Sequence, residues 1–407
     1  MRRLAILSLH GCPVARLGEK DTGGMNVYVL QVAKELAERG YLVDVYTRCH
    51  DPQDPQVVEL ADGARVVHIK AGPYDTTKES LYEYIPEFLS NLHRFQQSAG
   101  VVYDLIHSHY WLSGRVGVIL SQRWKVPHVV TFHTLAKTKL RARAGEIEPQ
   151  WRISAEKIVS QSADAIVVTT AQEQEDLSRL YGIAPSKVHV IPAGVDLELF
   201  RPVDKDEARQ ALGLREDKVI LYVGRIEPLK GLDVLVGALP LLEDPENTRL
   251  LVVGGKPGQD AELKRLKSFA DGLGIGGKVT FTGAVEQDRL PVYYGAADAF
   301  VLPSYYESFG LVALEAMACG TPVVVSRVGG LKTFIKNGET GYLIPWHCPE
   351  PFAQRLDMLL ENPSLREKMG NAARADALKM SWRGVAEQTS EFYTSLVDRT
   401  LESLAGA

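Results

Sequence analysis

Two glutamates eight residues apart, Glu307 and Glu315, bracket the stretch ESFGLVALE. Glu307 stands just beyond the apolar run DAFVLPS (298–304), where a doubly wound sheet binds ligands at the carboxyl ends of its strands. Ser308, Phe309 and Gly310 then lead into a helical segment, and the unpaired N–H groups of a helix's first turn hold phosphate oxygens. A carboxylate beside a phosphate is costly unless it accepts hydrogen bonds from hydroxyls, which a sugar and a ribose supply. On spacing alone, a surface helix carrying two glutamates explains the pattern equally well. A second stretch, YVGRIEPLKG (222–231), separates the two readings. Arg225 ends a strand and Lys230 opens the following helix, so both emerge on the same rim as Glu307. A planar guanidinium and a point-charge ammonium on that rim suit a departing diphosphate.

A third group stands at the mouth of the first helix, in DTGGMNVYVLQVAKELAERG (21–40). Gly23 and Gly24 let backbone N–H groups approach a ligand that a Cβ would block. A tight turn with a capping aspartate accounts for Asp21 and Thr22 singly, but not for Asn26 and the glycine pair lying together. His10 and His133 each follow a strand, at the end where the loops of such a sheet form a cleft. His107 and His109 flank Ser108 and share one face of a strand end. No histidine has a partner at metal-ligand spacing, and the four cysteines, Cys12, Cys49, Cys319 and Cys348, show no CxxC pairing. No metal site is expected, and the cysteines read as reduced, intracellular thiols.

Strands and helices in alternation must position these residues. LAILSLH (4–10) reads as a strand, and Val29, Val32, Ala33, Leu36 and Ala37 fall at helical spacing up to Gly40. YLVDVYT, RVVHI, DLIHSH, PHVVTFHT, DAIVVTT and VHVIPAGVD continue the rhythm. After a polar stretch it restarts with VILYVGR, RLLVVGG, KVTFTG, DAFVLPS and TPVVVSRVGG. The pattern predicts two doubly wound, Rossmann-like α/β domains facing across a cleft: residues 1–196, residues 197–380, and a last helix, 381–407, free to return to the first domain. GLGIGG (272–277) imitates a glycine fingerprint, but it follows a helix and precedes a strand, the reverse of what that fingerprint requires. DKD (204–206) reads as a helix cap.

The bounds agree. The chain has 407 residues, 45% of them apolar and 24% charged, as in a soluble globular protein of two domains. A net charge of −5 offers no field for nucleic acid. The start MRRLAILSLHGC imitates a signal peptide, but its apolar run is too short for one. The expected location is cytoplasmic, with no integral membrane segment; the reading leaves room for a homodimer. An oxidoreductase lacks its fingerprint, and a silent sugar-binding scaffold has no use for Arg225, Lys230 and both glutamates.

GRIEPLKG, the Glu307–Glu315 spacing and ACGTPVVVSRVGG together resemble the retaining glycosyltransferases of family 4, with the GT-B fold, over essentially the whole chain. DTGGMNVYVLQ, HSHYWLSG and HTLAKTK resemble the branch of D-inositol 3-phosphate glycosyltransferases; KESLYEYIPEF and HGCPVARLG resemble bacterial sucrose-phosphate synthases. ESFG stands where the latter carry Glu-Pro-Phe-Gly. The resemblance implies transfer of glucose or N-acetylglucosamine from a UDP-sugar to a hydroxyl of a small phosphorylated acceptor. An inositol phosphate is the leading choice, with fructose 6-phosphate, or a lipid or polysaccharide, as alternatives. It implies a donor site of Gly23, Gly24, Arg225, Lys230, Val285, Glu307, Phe309, Gly310, Leu311 and Glu315. Arg225, Lys230, Glu307 and His133 would be catalytic, His133 at the donor sugar's 6-hydroxyl. His10, Asp21, Thr22 and Asn26 would meet the acceptor, whose phosphate falls to Lys78, Tyr110, Thr134 and Arg152. No cofactor is required on this reading, and magnesium is left as a stimulator.

Overall fold

The computed structural model describes residues 2–15, 22–214, 217–255 and 261–405. The chain divides into two compact units. One is built from residues 2–15, 24–192 and 382–405; the other holds residues 193–381 with Thr22 and Gly23.

The first unit carries an eight-stranded sheet. Its strands are β1 (Arg3–Leu7), β2 (Leu42–Arg48), β3 (Val57–Ala61), β4 (Ala64–Ile69), β5 (Leu105–His109), β6 (His128–Thr131), β7 (Ala165–Val168) and β8 (Val188–Val190), in the order β3-β4-β2-β1-β5-β6-β7-β8. All pairings are parallel except β3 on β4. That hairpin is an addition to the sequence reading, which had only RVVHI as a strand there. Asp62-Gly63 makes its turn, with Gly63 alone in left-handed backbone at φ 84°, a conformation glycine takes without strain. The strand order reverses between β1 and β5, so the loops after those strands flank the switch point where open α/β sheets take ligands. The helix Gly24–Glu38 buries Val29, Val32, Ala33 and Leu36, the face its periodicity marks. Helix Trp382–Ala405 packs on it: Trp382 meets the Tyr28 ring edge-on at 5.6 Å, and the Tyr41 hydroxyl lies 3.0 Å from Ser390 Oγ.

The second unit has six parallel strands: β9 (Lys218–Val223), β10 (Thr248–Val253), β11 (Val279–Gly283), β12 (Ala299–Leu302), β13 (Val323–Ser326) and β14 (Gly341–Ile344). They lie in the order β11-β10-β9-β12-β13-β14. The apolar runs VILYV, LLVV and AFVL are buried throughout, because helices cover both faces of a parallel sheet. β14 was not read as a strand; its GYLI opens on a glycine, a residue strands disfavour. The switch point falls between β9 and β12, whose following loops hold Arg225 and Lys230 on one side and Glu307 on the other.

Candidate functional site

In the second unit, two loops are locked together before any ligand is considered. After β9 the chain makes a single 3-10 turn, Pro228–Lys230, and Gly231 follows with φ 63°. A Cβ on Gly231 would stand 2.2 Å from the Pro303 carbonyl oxygen, so only glycine allows this approach. Tyr305 N–H donates to Leu229 O at 2.8 Å across the same seam. The result aims Lys230 at Glu307. Lys230 Nζ donates to Glu307 Oε1, and Ser304 Oγ donates to the same oxygen at 2.8 Å. Both bonds fall on Oε1, leaving the acceptor capacity of the carboxylate on Oε2. Glu307 is buried. A turn after β13 holds its backbone: Gly329 lies so close that a Cβ would collide with Glu307 O, and Gly330 N–H donates to Ser308 O at 3.0 Å. The sequence reading assigned no role to Ser304, Gly329 or Gly330; paired glycines three residues past a strand end are the signal that was there to use.

Arg225 sits on the same loop. Its Nη1 lies 2.7 Å from Glu227 Oε1, and Tyr222 Oη donates to its carbonyl at 2.7 Å. With side chains 36% and 41% exposed, the Arg225–Glu227 pair is weak and easily exchanged for a ligand. A Cβ on Gly23 would lie 3.8 Å from Arg225 Nε. Gly310 caps the helix Leu311–Ala318, with Phe309 buried behind it. The first backbone bond of that helix end runs from Ala313 N–H to Gly310 O at 3.0 Å, so among the described residues the N–H groups of Leu311 and Val312 carry no backbone bond. Val285, half-buried, follows β11.

Glu315 is buried one turn into the same helix and accepts a bond from Tyr294 Oη at 3.0 Å. Burial raises its pKa to about 7 from 4.5, against the opposing bonds from Tyr294 and Gln287. A carboxyl whose folded pKa is raised binds more protons folded than unfolded, so its cost to stability is absent below pH 4.5 and complete above about 7. Glu315→Gln removes that cost. Its Tm relative to the parent should therefore climb as pH rises from 4.5 to 8, by an amount corresponding to about 3 kcal/mol. A Tm difference that stays flat over this range in thermal melts would contradict the buried acid.

In the first unit, Tyr110 directly follows β5 and His133 stands two residues after β6, and both are non-glycine residues at positive φ, 74° and 59°. Such conformations cost about 1–3 kcal/mol each and collect at functional sites. The His10 and Tyr110 rings are 4.5 Å apart. The Arg152 guanidinium carbon stands 5.1 Å from the Tyr110 ring centre, and Arg152 Nη2 donates to Thr134 Oγ1 at 3.2 Å. Tyr110, Thr134 and Arg152 are thus brought together. Lys78, half-buried, acts with Arg152 to lower a Tyr110 pKa that burial raises. Arg152 also has two carboxylate partners, Glu148 at 2.7 Å and the fully buried Glu156 at 2.9 Å. Glu156 in turn accepts from Ala136 N–H and Tyr181 Oη. This carboxylate layer was not anticipated, although Glu148 and Glu156 stand four residues either side of Arg152.

Burial pulls His133 down to about 3, so the ring is neutral; its Nε2 lies 2.9 Å from His109 Nδ1. His107 and His109 are both buried, His107 bonded to Thr131 Oγ1 at 2.9 Å and to Tyr393 Oη. Asn26 is buried too and donates from Nδ2 to Cys12 O at 2.7 Å. Thr22 is half-buried and Gly24 is the exposed first residue of its helix. Asp21 lies outside the described residues.

The family model "Glycosyl transferase 4-like domain" matches residues 23–194, and "Glycosyl transferases group 1" matches residues 204–376. The D-inositol 3-phosphate glycosyltransferase 2 of Catenulispora acidiphila is 43% identical over 98% of this chain and 96% of its own. The D-inositol 3-phosphate glycosyltransferase of Saccharomonospora viridis is 45% identical over 96% and 94%. Among solved structures, the sucrose-phosphate synthase of Thermosynechococcus elongatus superimposes with a TM-score of 0.92 at 36% identity, covering 98% of this chain and 100% of that one. Anabaena HepE in complex with UDP and glucose gives a TM-score of 0.79 at 22% identity, covering 97% and 100%. No helix among the described residues is long and apolar enough to cross a membrane.

Proposed function

Because the chain belongs to the group 1 glycosyltransferases of family 4, with the GT-B fold, we propose that it moves a hexosyl or N-acetylhexosaminyl group from a UDP-sugar, with retention, to a hydroxyl of a small inositol-phosphate-like acceptor. The observation that carries the donor half is the convergence of Lys230, Ser304 and Glu307 beside the open end of helix Leu311–Ala318. The diphosphate takes Lys230, Arg225 and the N–H groups of Leu311 and Val312. Glu307 Oε2 accepts from a hydroxyl of the sugar, and Glu315, ionised above about pH 7, accepts from the ribose. As the glycosidic bond to the diphosphate breaks, charge collects on the leaving oxygen, where fixed cations and N–H groups stabilise the transition state more than the ground state. The acceptor hydroxyl attacks from the same face and passes its proton to that leaving phosphate, so no carboxylate base is needed. His133, being neutral, serves as a hydrogen-bonding group at the sugar rather than as a cation.

The acceptor half rests on Tyr110, Thr134 and Arg152 in contact, with Lys78 in electrostatic reach. That set suits a phosphate dianion. Relatives at 43% and 45% identity carry the inositol phosphate name, which favours that acceptor. The superposition on sucrose-phosphate synthase favours a second reading, UDP-glucose with fructose 6-phosphate. UDP release from UDP-glucose or UDP-GlcNAc, measured with inositol 3-phosphate and with fructose 6-phosphate, separates them. The first reading expects release that depends on inositol phosphate and an α-linked product by NMR. Release with fructose 6-phosphate alone selects the second reading, and a β-linked product removes retention.

A further inference from the structure

Three side chains far apart in sequence meet at the carboxyl ends of three adjacent strands. Cys12 follows β1, His50 follows β2, and His68 lies in β4, in a sheet that orders these strands β4-β2-β1. One donor atom of each lies within 4.8 Å of the other two. We propose that Cys12, His50 and His68 form a binding site for a borderline-soft divalent cation of the zinc type, separate from the sugar-transfer chemistry.

The geometry is close to what the ion needs. With Zn–S near 2.3 Å and Zn–N near 2.0–2.1 Å, tetrahedral ligands stand about 3.5 Å apart. Cys12 Sγ and His68 Nε2 are 3.4 Å apart already. His68 Nδ1 lies 2.6 Å from Pro55 O, and a carbonyl can only accept, so the ring proton is on Nδ1 and the Nε2 lone pair faces the thiol. The other histidine is held in the same way: His50 Nδ1 lies 3.1 Å from Asp54 Oδ2, and Asp54 is itself fixed by the N–H of Asp51 at 3.0 Å. Metal-binding histidines are oriented by such carbonyl and carboxylate partners. Cys12 and His68 are buried, whereas His50 is exposed and can swing by the ångström or so needed to close the triangle. Cys49, the other cysteine nearby, donates its thiol to Asp51 O and is not part of the set.

Binding replaces the proton of the Cys12 thiol by the cation and releases that proton to solvent, so affinity rises with pH. Three protein ligands leave a fourth position for water or for a carboxylate oxygen of Asp54. The ion would also tie down a working segment. Cys12 O accepts the Asn26 bond at the start of helix Gly24–Glu38, and Gly11 O accepts from Ser8 Oγ at 2.6 Å, with His10 between.

The test is a titration of the chelator-stripped full chain with Co²⁺, followed by displacement with Zn²⁺. One equivalent of Co²⁺ per chain should produce a thiolate-to-cobalt charge-transfer band with tetrahedral d–d bands, and Zn²⁺ should abolish both while raising Tm. Cys12→Ser should lose the charge-transfer band. His50→Ala, at an exposed position where folding is not at stake, should weaken Co²⁺ by at least about tenfold with an unchanged metal-free Tm. The proposal is overturned if the folded parent shows no thiolate band, or if His50→Ala binds Co²⁺ as tightly as the parent.

Discussion

Lys230→Ala should lower kcat/KM by about 10²–10³, the usual cost of removing one fixed donor at a site of developing charge. Lys230 is held by a glycine turn that no other residue can make and by the Tyr305–Leu229 bond, so a neighbouring side chain cannot take over its position. Its loss also frees Glu307, leaving only Ser304 on the carboxylate. A site that stabilises the leaving diphosphate should lose more in kcat than in affinity for the intact UDP-sugar, because the leaving oxygen carries more charge in the transition state than in the bound donor. Arg225→Ala should act in the same direction, through a side chain whose ion pair among the described residues is the exposed one with Glu227. Steady-state kinetics with a calorimetric titration of the UDP-sugar in the absence of acceptor check both. If neither variant falls below a third of parental turnover, the leaving-group assignment is wrong.

A phosphorylated acceptor should be preferred over its dephosphorylated form by at least about a hundredfold in kcat/KM. Several charge-assisted bonds of roughly 1.5–3 kcal/mol each are at stake, and groups built for a dianion are left unpaired without it. The structure changes which variant tests this. Arg152→Ala would strand the buried Glu156 without its cation, a change that typically costs about 3–5 kcal/mol, so lost activity would report on folding. Lys78→Ala is the cleaner probe, since Lys78 is half-buried. It should cut the preference at least about tenfold while leaving slow donor hydrolysis without acceptor unchanged. Arg152→Lys keeps the charge but loses the fork that reaches Glu148, Glu156 and Thr134 together, and should also narrow the preference. Equal use of both acceptors by the parent would remove the phosphate site and, with it, both named acceptors.

Much of the architecture was legible because it follows local rules. A strand covered on both faces must be apolar throughout, so VILYV and AFVL mark themselves, and alternation with helical segments then implies parallel sheets. Strand ends follow, and with them the placement of Arg225, Lys230 and Glu307 on one rim. Irregular pieces escaped: β14, GYLI, opens on a glycine, and the β3–β4 hairpin shows only its Asp-Gly turn. What the sequence by itself could determine was which residue types stand at the ends of strands, since that depends on periodicity and turn chemistry along the chain. Tertiary structure alone decided what those residues meet. The Glu315 carboxyl reaches a pKa of about 7 because the surrounding fold strips its water, and nothing in LVALEAMA states that burial. Tyr110 and His133 take left-handed backbone only because the packed sheet holds them there, against their own preference. Cys12, His50 and His68 converge because β1, β2 and β4 are neighbours in the sheet, an order set by strand pairing between distant segments, which leaves no spacing to read.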